Sequence, residues 1–194
     1  FYKILFYLPA ICTSTIVGTV FSKIFETNRG YLNVILRALH LDFLCQQWLA
    51  TPKTALACLL FVNIWQWTGY SMLMYYTNML NIPQDLYESA TIDGAGSFKQ
   101  FVYITFPLLR GTHITLIILD ILGALKFFDL SYVLTDGGPA HATETFSTYI
   151  YTKSFSTFQQ GQASTIVVFM FLIAMVLTVI QLKIYYKKDR KEMN

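Results

Sequence analysis

Four stretches of the chain are largely apolar for about 20 residues, the length of helix that crosses roughly 30 Å of hydrocarbon at about 1.5 Å per residue. They cover residues 4–25, 55–79, 112–134 and 163–186, and the first and last are the cleanest. In lipid every backbone amide needs a partner within the protein, so these stretches predict spanning helices; the alternation of a membrane barrel strand is absent from them. The predicted fold class is all-α, a polytopic transmembrane helix bundle with four spans. Residues 80–110, between the second and third stretches, are polar enough to form elements of their own. Pro83 suits the first position of a short helix, where a missing N–H costs nothing, and Gln84, Asp85 and Glu88 lie near the positive end of its dipole. Gly94 and Gly96 supply freedom for a turn, and Ser97 with Gln100 has the capping-box spacing that starts a second helix. Phe98, Phe101, Val102 and Leu109 are expected on one side of it, and Pro107 is expected to kink it as it enters the membrane. The whole predicts a rigid elbow.

The remaining loops carry weaker patterns. Leu32, Ile35, Leu36 and Leu39 recur at helical spacing against Asn33, Arg37 and His40, which predicts a short amphipathic interfacial helix with a structural role. Asp136-Gly137-Gly138-Pro139 concentrates turn formers and marks a chain reversal. Repeats and low-complexity linkers are absent, so a single domain over residues 1–194 is expected.

Composition agrees with lipid. Hydrophobic residues make up 55% and charged residues 13%, with a mean hydropathy of +0.47, too apolar for one soluble core of this size. The net charge of +3 gathers in Lys183, Lys187, Lys188, Arg190 and Lys191, which suits a membrane surface better than nucleic acid. Because that basic run directly follows the last span, the C-terminus is expected in the cytoplasm, as is the 80–110 loop, with the loops at 26–52 and 135–162 outside. Cys12, Cys45 and Cys58 are odd in number and form no ligand spacing, so neither a disulfide framework nor a metal site is indicated. The chain opens on Phe1 without Met or the order of a cleavable signal, and is expected to be a fragment whose upstream part is missing.

Candidate chemistry lies in the spans. Asn63, Trp67, Tyr70 and Met74 fall on one helical face with Gln66, Ser71 and Asn78 beside it, so flat apolar surfaces adjoin hydrogen-bonding groups. Sugars need both, although the same residues suit helix packing or an interfacial aromatic belt equally well. Asp120, Lys126 and Asp129 are ionisable groups at or near membrane depth and are expected to point inward; Lys126 and Asp129, three apart, are expected to pair as a structural salt bridge. Ser14, Gly18 and Ser22 place small residues at every fourth position, for close helix approach. No Gly-rich Lys-Ser/Thr loop occurs and no nucleophile, base and orienter converge, so the chain is expected neither to bind ATP nor to be an enzyme.

One stretch is more specific. Tyr87-Glu88-Ser89-Ala90-Thr91-Ile92-Asp93-Gly94-Ala95 and then Phe101-Val102-Tyr103-Ile104-Thr105-Phe106-Pro107 resembles the cytoplasmic EAA loop of ABC importer permeases, with Ser89, Phe106 and Gly111 as departures. Gly30, Asn33, Trp48-Leu49, Trp65, Gly69, the run from Asp129 to Thr135 and Gly137-Gly138-Pro139 extend the resemblance to the maltose-type, binding-protein-dependent carbohydrate permeases along essentially the whole chain. The resemblance implies a type I importer bundle of six spans, two of them preceding Phe1, in a bacterial or archaeal cytoplasmic membrane. It also implies a second permease subunit as heterodimer partner, two cytoplasmic ATPase subunits that hold ATP and Mg, and an extracellular solute-binding protein. Helix packing through Gly18 is then expected within the permease pair. The implied function is alternating-access import of a sugar or oligosaccharide. Import of another solute, such as a glycerol phosphate or peptide, and a non-transport membrane scaffold are the alternatives. Glu88, Ser89, Ala90, Asp93, Gly94 and Ala95 are implied as the ATPase contact, with Glu88 opposite a basic residue in its cleft; on its own chemistry Glu88 is equally a dipole-favoured surface acid.

Overall fold

A computed structural model describes the backbone of residues 2–192 and the side chains of 2–181 and 183. Lys187, Lys188, Arg190 and Lys191, on which the expected orientation rests, have side chains outside the described residues. The described residues are helical, without a strand. In chain order they form α1 (Tyr2–Ile11), α2 (Ser14–Ile24), α3 (Tyr31–Ala38), α4 (Pro52–Met79), α5 (Gln84–Ile92) and α6 (Ser97–Gln100). A π-helical turn (Phe101–Thr105) leads to α7 (Phe106–Leu108), α8 (Arg110–Leu125), α9 (Asp129–Thr135), α10 (Phe146–Tyr151) and α11 (Gln160–Glu192).

Two of the four expected spans are not continuous helices. The 4–25 stretch breaks at residues 12–13 because Thr13 adopts an extended backbone and its hydroxyl accepts the N–H of Ile16, restarting the helix with a cap. The 112–134 stretch breaks at residues 126–128; Thr145 Oγ1 donates to the carbonyl of Phe127 at 2.6 Å and Ser147 Oγ to that of Leu125 at 3.4 Å, satisfying acceptors that the break exposes. Gln160–Gln181 is the one described helix long and apolar enough to cross a membrane unaided, and up to three spans result if Tyr2–Ile11 with Ser14–Ile24, and Ser97–Leu108 with Arg110–Leu125, each count as one. The 28 residues of α4 have the length, but Asn63, Gln66, Ser71 and Asn78 lower its apolar character.

The backbone divides into two compact units, one of residues 1–11 and 66–120, the other of 12–65 and 121–194. In the second, α2 packs on α9 around buried Val17, Phe25, Cys58, Leu59, Val62, Leu130 and Leu134. Gly18 makes that approach possible, since a Cβ there would lie 3.1 Å from Val133 Cγ1. Its packing partner is therefore a helix of the same chain, not the second subunit expected. Asn33 also departs from expectation. It belongs to the interior rather than the polar face of α3, donating to the carbonyls of Thr27 (2.9 Å) and Gln46 (3.0 Å) and accepting from Trp48 Nε1 (2.8 Å). Ile35 and Leu39 of the apolar face are uncovered by the rest of the chain, which is compatible with an interfacial helix. Thr27 and the folded-back segment carrying Gln46 and Trp48 replace the hydrogen bonds that the Asn33 amide would make to water, and the apolar period does not register this.

In the first unit α1 crosses α4 at Gly69, where any Cβ would overlap the carbonyl of Phe6. Lys3 Nζ lies 3.2 Å from the centre of the Tyr76 ring, adding a cation–π contact between the same helices.

Candidate functional site

The polar segment after α4 is built by local rules and then locked by longer ties. Pro83 serves as N-cap of α5 instead of its first residue, with ψ of 134°, and the helix starts at Gln84. Asp85 occupies the first turn, favoured by the dipole. At the other end Ala95 N–H donates to Ala90 O (2.9 Å) and Gly94 N–H to Thr91 O (3.0 Å), the paired bonds of a Schellman ending, with Gly94 at φ 77°. Gly96 has an ordinary φ of −68°, so the positive-φ freedom of glycine is used at Gly94 alone of the two.

The expected Ser97–Gln100 capping box does not form. Gly96 takes the N-cap position without a side-chain bond, and Gln100 Nε2 instead donates back to Thr91 Oγ1 (2.9 Å) and the Ala95 carbonyl (3.0 Å). A second tie joins Tyr87 Oη to the buried Thr105 Oγ1 at 2.8 Å. With one tie at the tip and one at the base, the helix, turn and helix form a clamped V. Tyr87, Thr91 and Thr105 were not singled out beforehand; their hydroxyls were the available signal.

Glu88, Ser89, Asp93 and Gly94 are exposed on this V, and Ala90 and Ala95 are half-buried. Residues 84–96 carry Asp85, Glu88 and Asp93 and no Lys or Arg, so the surface they offer is acidic. Such a surface is complementary to a basic cleft.

The exit of the V is bent. Ser97–Leu108 and Arg110–Leu125 meet at 62° two residues after Pro107, so the helix is kinked as expected but later than the missing proline N–H would place the kink. The π turn ahead of it, closed by Phe106 N–H to Phe101 O, widens the helix where the proline ring crowds the previous turn. Of the expected apolar stripe, Phe98, Phe101 and Val102 are exposed, while Leu109, at the bend, is buried.

The other candidate set lies along α4. Trp67 and Tyr70 meet edge to face at 6.1 Å and 88°. Gln66 is buried, Trp67 exposed, and Asn63, Tyr70, Ser71 and Met74 half-buried. An open polar depression of about 310 Å³ lies in the second unit, lined in part by Tyr132, Asp136, His141 and Glu144.

Asp120, Lys126 and Asp129 are all three uncovered by the rest of the chain. Among the described residues Lys23 and Glu26 form an ion pair (3.6 Å), and His141 Nδ1 lies 3.2 Å from the Glu144 carboxylate. Lys126 and Asp129 do not pair, because the helix break falls between them and leaves Asp129 in the first turn of α9. Among the described residues no three His, Cys, Asp or Glu side chains converge as metal ligands.

Residues 1–190 match the family described as binding-protein-dependent transport system inner membrane component. The chain belongs to this family. It is 34% identical over 192 residues to a Bacillus subtilis (strain 168) protein named as a probable ABC transporter permease, YurN, covering 99% of the chain and 65% of that relative. It is 33% identical to the trehalose/maltose transport system permease protein MalF of Thermococcus litoralis, covering 91% of the chain and 59% of the relative. A bacterial ABC transporter involved in the import of the acidic polysaccharide alginate has the same fold, with a TM-score of 0.82 at 25% identity over 97% of this chain and 65% of the other. The chain thus spans 65% or less of the length of these proteins. Family membership accords with the importer resemblance of the Glu88–Pro107 spacing, and the curated relatives carry names of permeases, not enzymes.

Proposed function

We propose that residues 1–194 form the transmembrane permease domain of an ATP-driven importer that moves a sugar or oligosaccharide across a bacterial or archaeal cytoplasmic membrane. One observation carries the reading: an apolar helical chain holds a clamped, acidic V at residues 84–105 whose exposed Glu88, Asp93 and Gly94 lie on a helix and turn that the rest of the chain does not cover. A tied, charged surface of this kind suits a soluble partner. The V is the coupling loop, within residues 80–110, and its partners are two cytoplasmic ATPase subunits that bind ATP and Mg; this chain holds neither and catalyses no reaction. A second permease subunit completes the pathway, and an extracellular binding protein delivers the solute. Four segments cross the membrane, the first and third as interrupted helices, with the C-terminus in the cytoplasm.

ATP-driven closure of the partner subunits moves α5, and the clamped V passes the displacement into α8 and α4, opening the pathway alternately to each side. Asn63, Gln66, Trp67, Tyr70, Ser71 and Met74 line that pathway, Trp67 and Tyr70 offering ring faces and the amides and hydroxyls pairing with sugar oxygens. The test is the Glu88→Lys form of the full-length protein, assembled with its partners in proteoliposomes. Sugar uptake is expected to fall at least tenfold while the inserted amount holds, as charge reversal against a basic cleft costs several kcal/mol. Uptake at the wild-type rate would refute the assignment. Relatives named for trehalose/maltose transport support the sugar class, and ATP hydrolysis stimulated by sugar but not by peptide or glycerol phosphate checks it.

A further inference from the structure

His113 stands where three segments of the first unit meet. It lies in the first turn of α8, its Nδ1 is 2.8 Å from Tyr75 Oη on α4, and its Nε2 is 3.2 Å from the carbonyl of Phe106 at the bend. A carbonyl only accepts, so Nε2 carries the hydrogen; in the neutral ring Nδ1 then accepts from the Tyr75 hydroxyl. The tautomer is thus assigned by its partners. The ring is also 4.6 Å from the Phe106 ring and 5.2 Å from that of Tyr75, so both its edges and its faces are engaged. Phe106 directly follows Thr105, which Tyr87 of α5 holds. A continuous run of contacts therefore leads from α5 through Tyr87, Thr105, Phe106 and His113 to Tyr75.

We propose that His113 is a positioning residue that ties the bend below the clamped V to α4, delivering movement of α5 to the stretch of α4 that carries Gln66, Tyr70 and Met74. Without it α8 alone would carry the movement, through a bend of 62° at a proline and a π turn, and such a joint absorbs rotation. The tie to Tyr75 joins α8 to α4 directly, on the same ring that holds the bend at Phe106, so rotation at the bend has to carry α4 with it or break the bond. The inference rests on the coupling reading above.

The experiment measures sugar transported per ATP hydrolysed by the full-length protein with its partner subunits in proteoliposomes. His113→Ala removes both bonds, Tyr75→Phe removes one hydroxyl, and His113→Gln retains an N–H near the Nε2 position for the Phe106 carbonyl. His113→Ala is expected to lower the ratio about tenfold, within the range of ordinary site-to-site coupling, with ATP turnover retained. Tyr75→Phe lowers it less, and adds nothing in the His113→Ala background, since the two act through one bond. His113→Gln matches Tyr75→Phe. A merely structural histidine would change the amount of assembled protein and leave the ratio alone. An unchanged ratio in His113→Ala, or a Tyr75→Phe effect of the same size with and without His113, overturns the proposal. Should His113→Ala fail to assemble, the ratio for Tyr75→Phe decides by itself. A wild-type assembly without sugar-stimulated hydrolysis would overturn the coupling reading, whereas normal wild-type coupling with unaffected variants overturns the His113 role alone.

Discussion

Substitution at Gly94 separates a backbone requirement from a docking requirement. Gly94 ends α5 at φ 77°, and a Cβ built on it meets nothing within 4 Å, so within this chain a side chain meets strain but no collision. A left-handed L-residue costs about 1–2 kcal/mol, less for Asn, whose amide bonds locally, and more for a β-branched residue. Judged by backbone alone, Asn should be tolerated best, Ala should loosen the turn roughly fivefold for about 1 kcal/mol, and Val should be worst. A partner surface against Gly94 reverses the first two, because Asn is bulkier than Ala. The assay is retention of the ATPase subunit by the full-length protein in detergent, normalised to the inserted amount. The expected order is Gly, Ala, Asn, Val, with Asn at least tenfold down, equivalent to about 1.4 kcal/mol. Full retention by Gly94→Asn together with weak retention by Gly94→Ala would show that the turn matters and that nothing docks there.

Gly69→Ala should separate α1 from α4, since the added methyl overlaps the carbonyl of Phe6; about 3 kcal/mol of lost stability should appear as a lower thermal midpoint of the detergent-solubilised protein. Asn33→Leu breaks three interior hydrogen bonds and should cost about 3 kcal/mol, with Trp48 fluorescence reporting the loosened indole. Gln100→Glu places a carboxylate against the Ala95 carbonyl, and should open the tip of the V by about 1–2 kcal/mol. The measurement is faster proteolysis at residues 93–97 with insertion unaffected, and unchanged cleavage would remove Gln100 from the clamp.

What the chain shows in advance follows from the reach of its local rules. Helicity, the turn at Gly94, the bend after Pro107 and the spacing from Glu88 to Ala95 all depend on residues within about one turn of each other, and all were legible. The breaks at residues 12–13 and 126–128 were not, because apolar run length counts side chains, whereas a helix ends where a hydroxyl or a folded-back segment offers its backbone a better partner. Gln100 shows the same competition at closer range. Its spacing from Ser97 fits a capping box, yet Thr91 and Ala95, already brought near by the Gly94 turn, accept from its side-chain amide and hold it away from that role.

The bonds that make the site are those with the longest reach. Gln100 to Thr91 spans nine residues, Tyr87 to Thr105 eighteen and Tyr75 to His113 thirty-eight, beyond any helical period. Each joins elements that local rules build independently. A loop assembled only from local signals could bend freely at Gly94 and again at Pro107; the three ties brace it at both points. If the proposed ATPase partner pushes on the exposed acids of α5, the ties determine whether that push reaches α4.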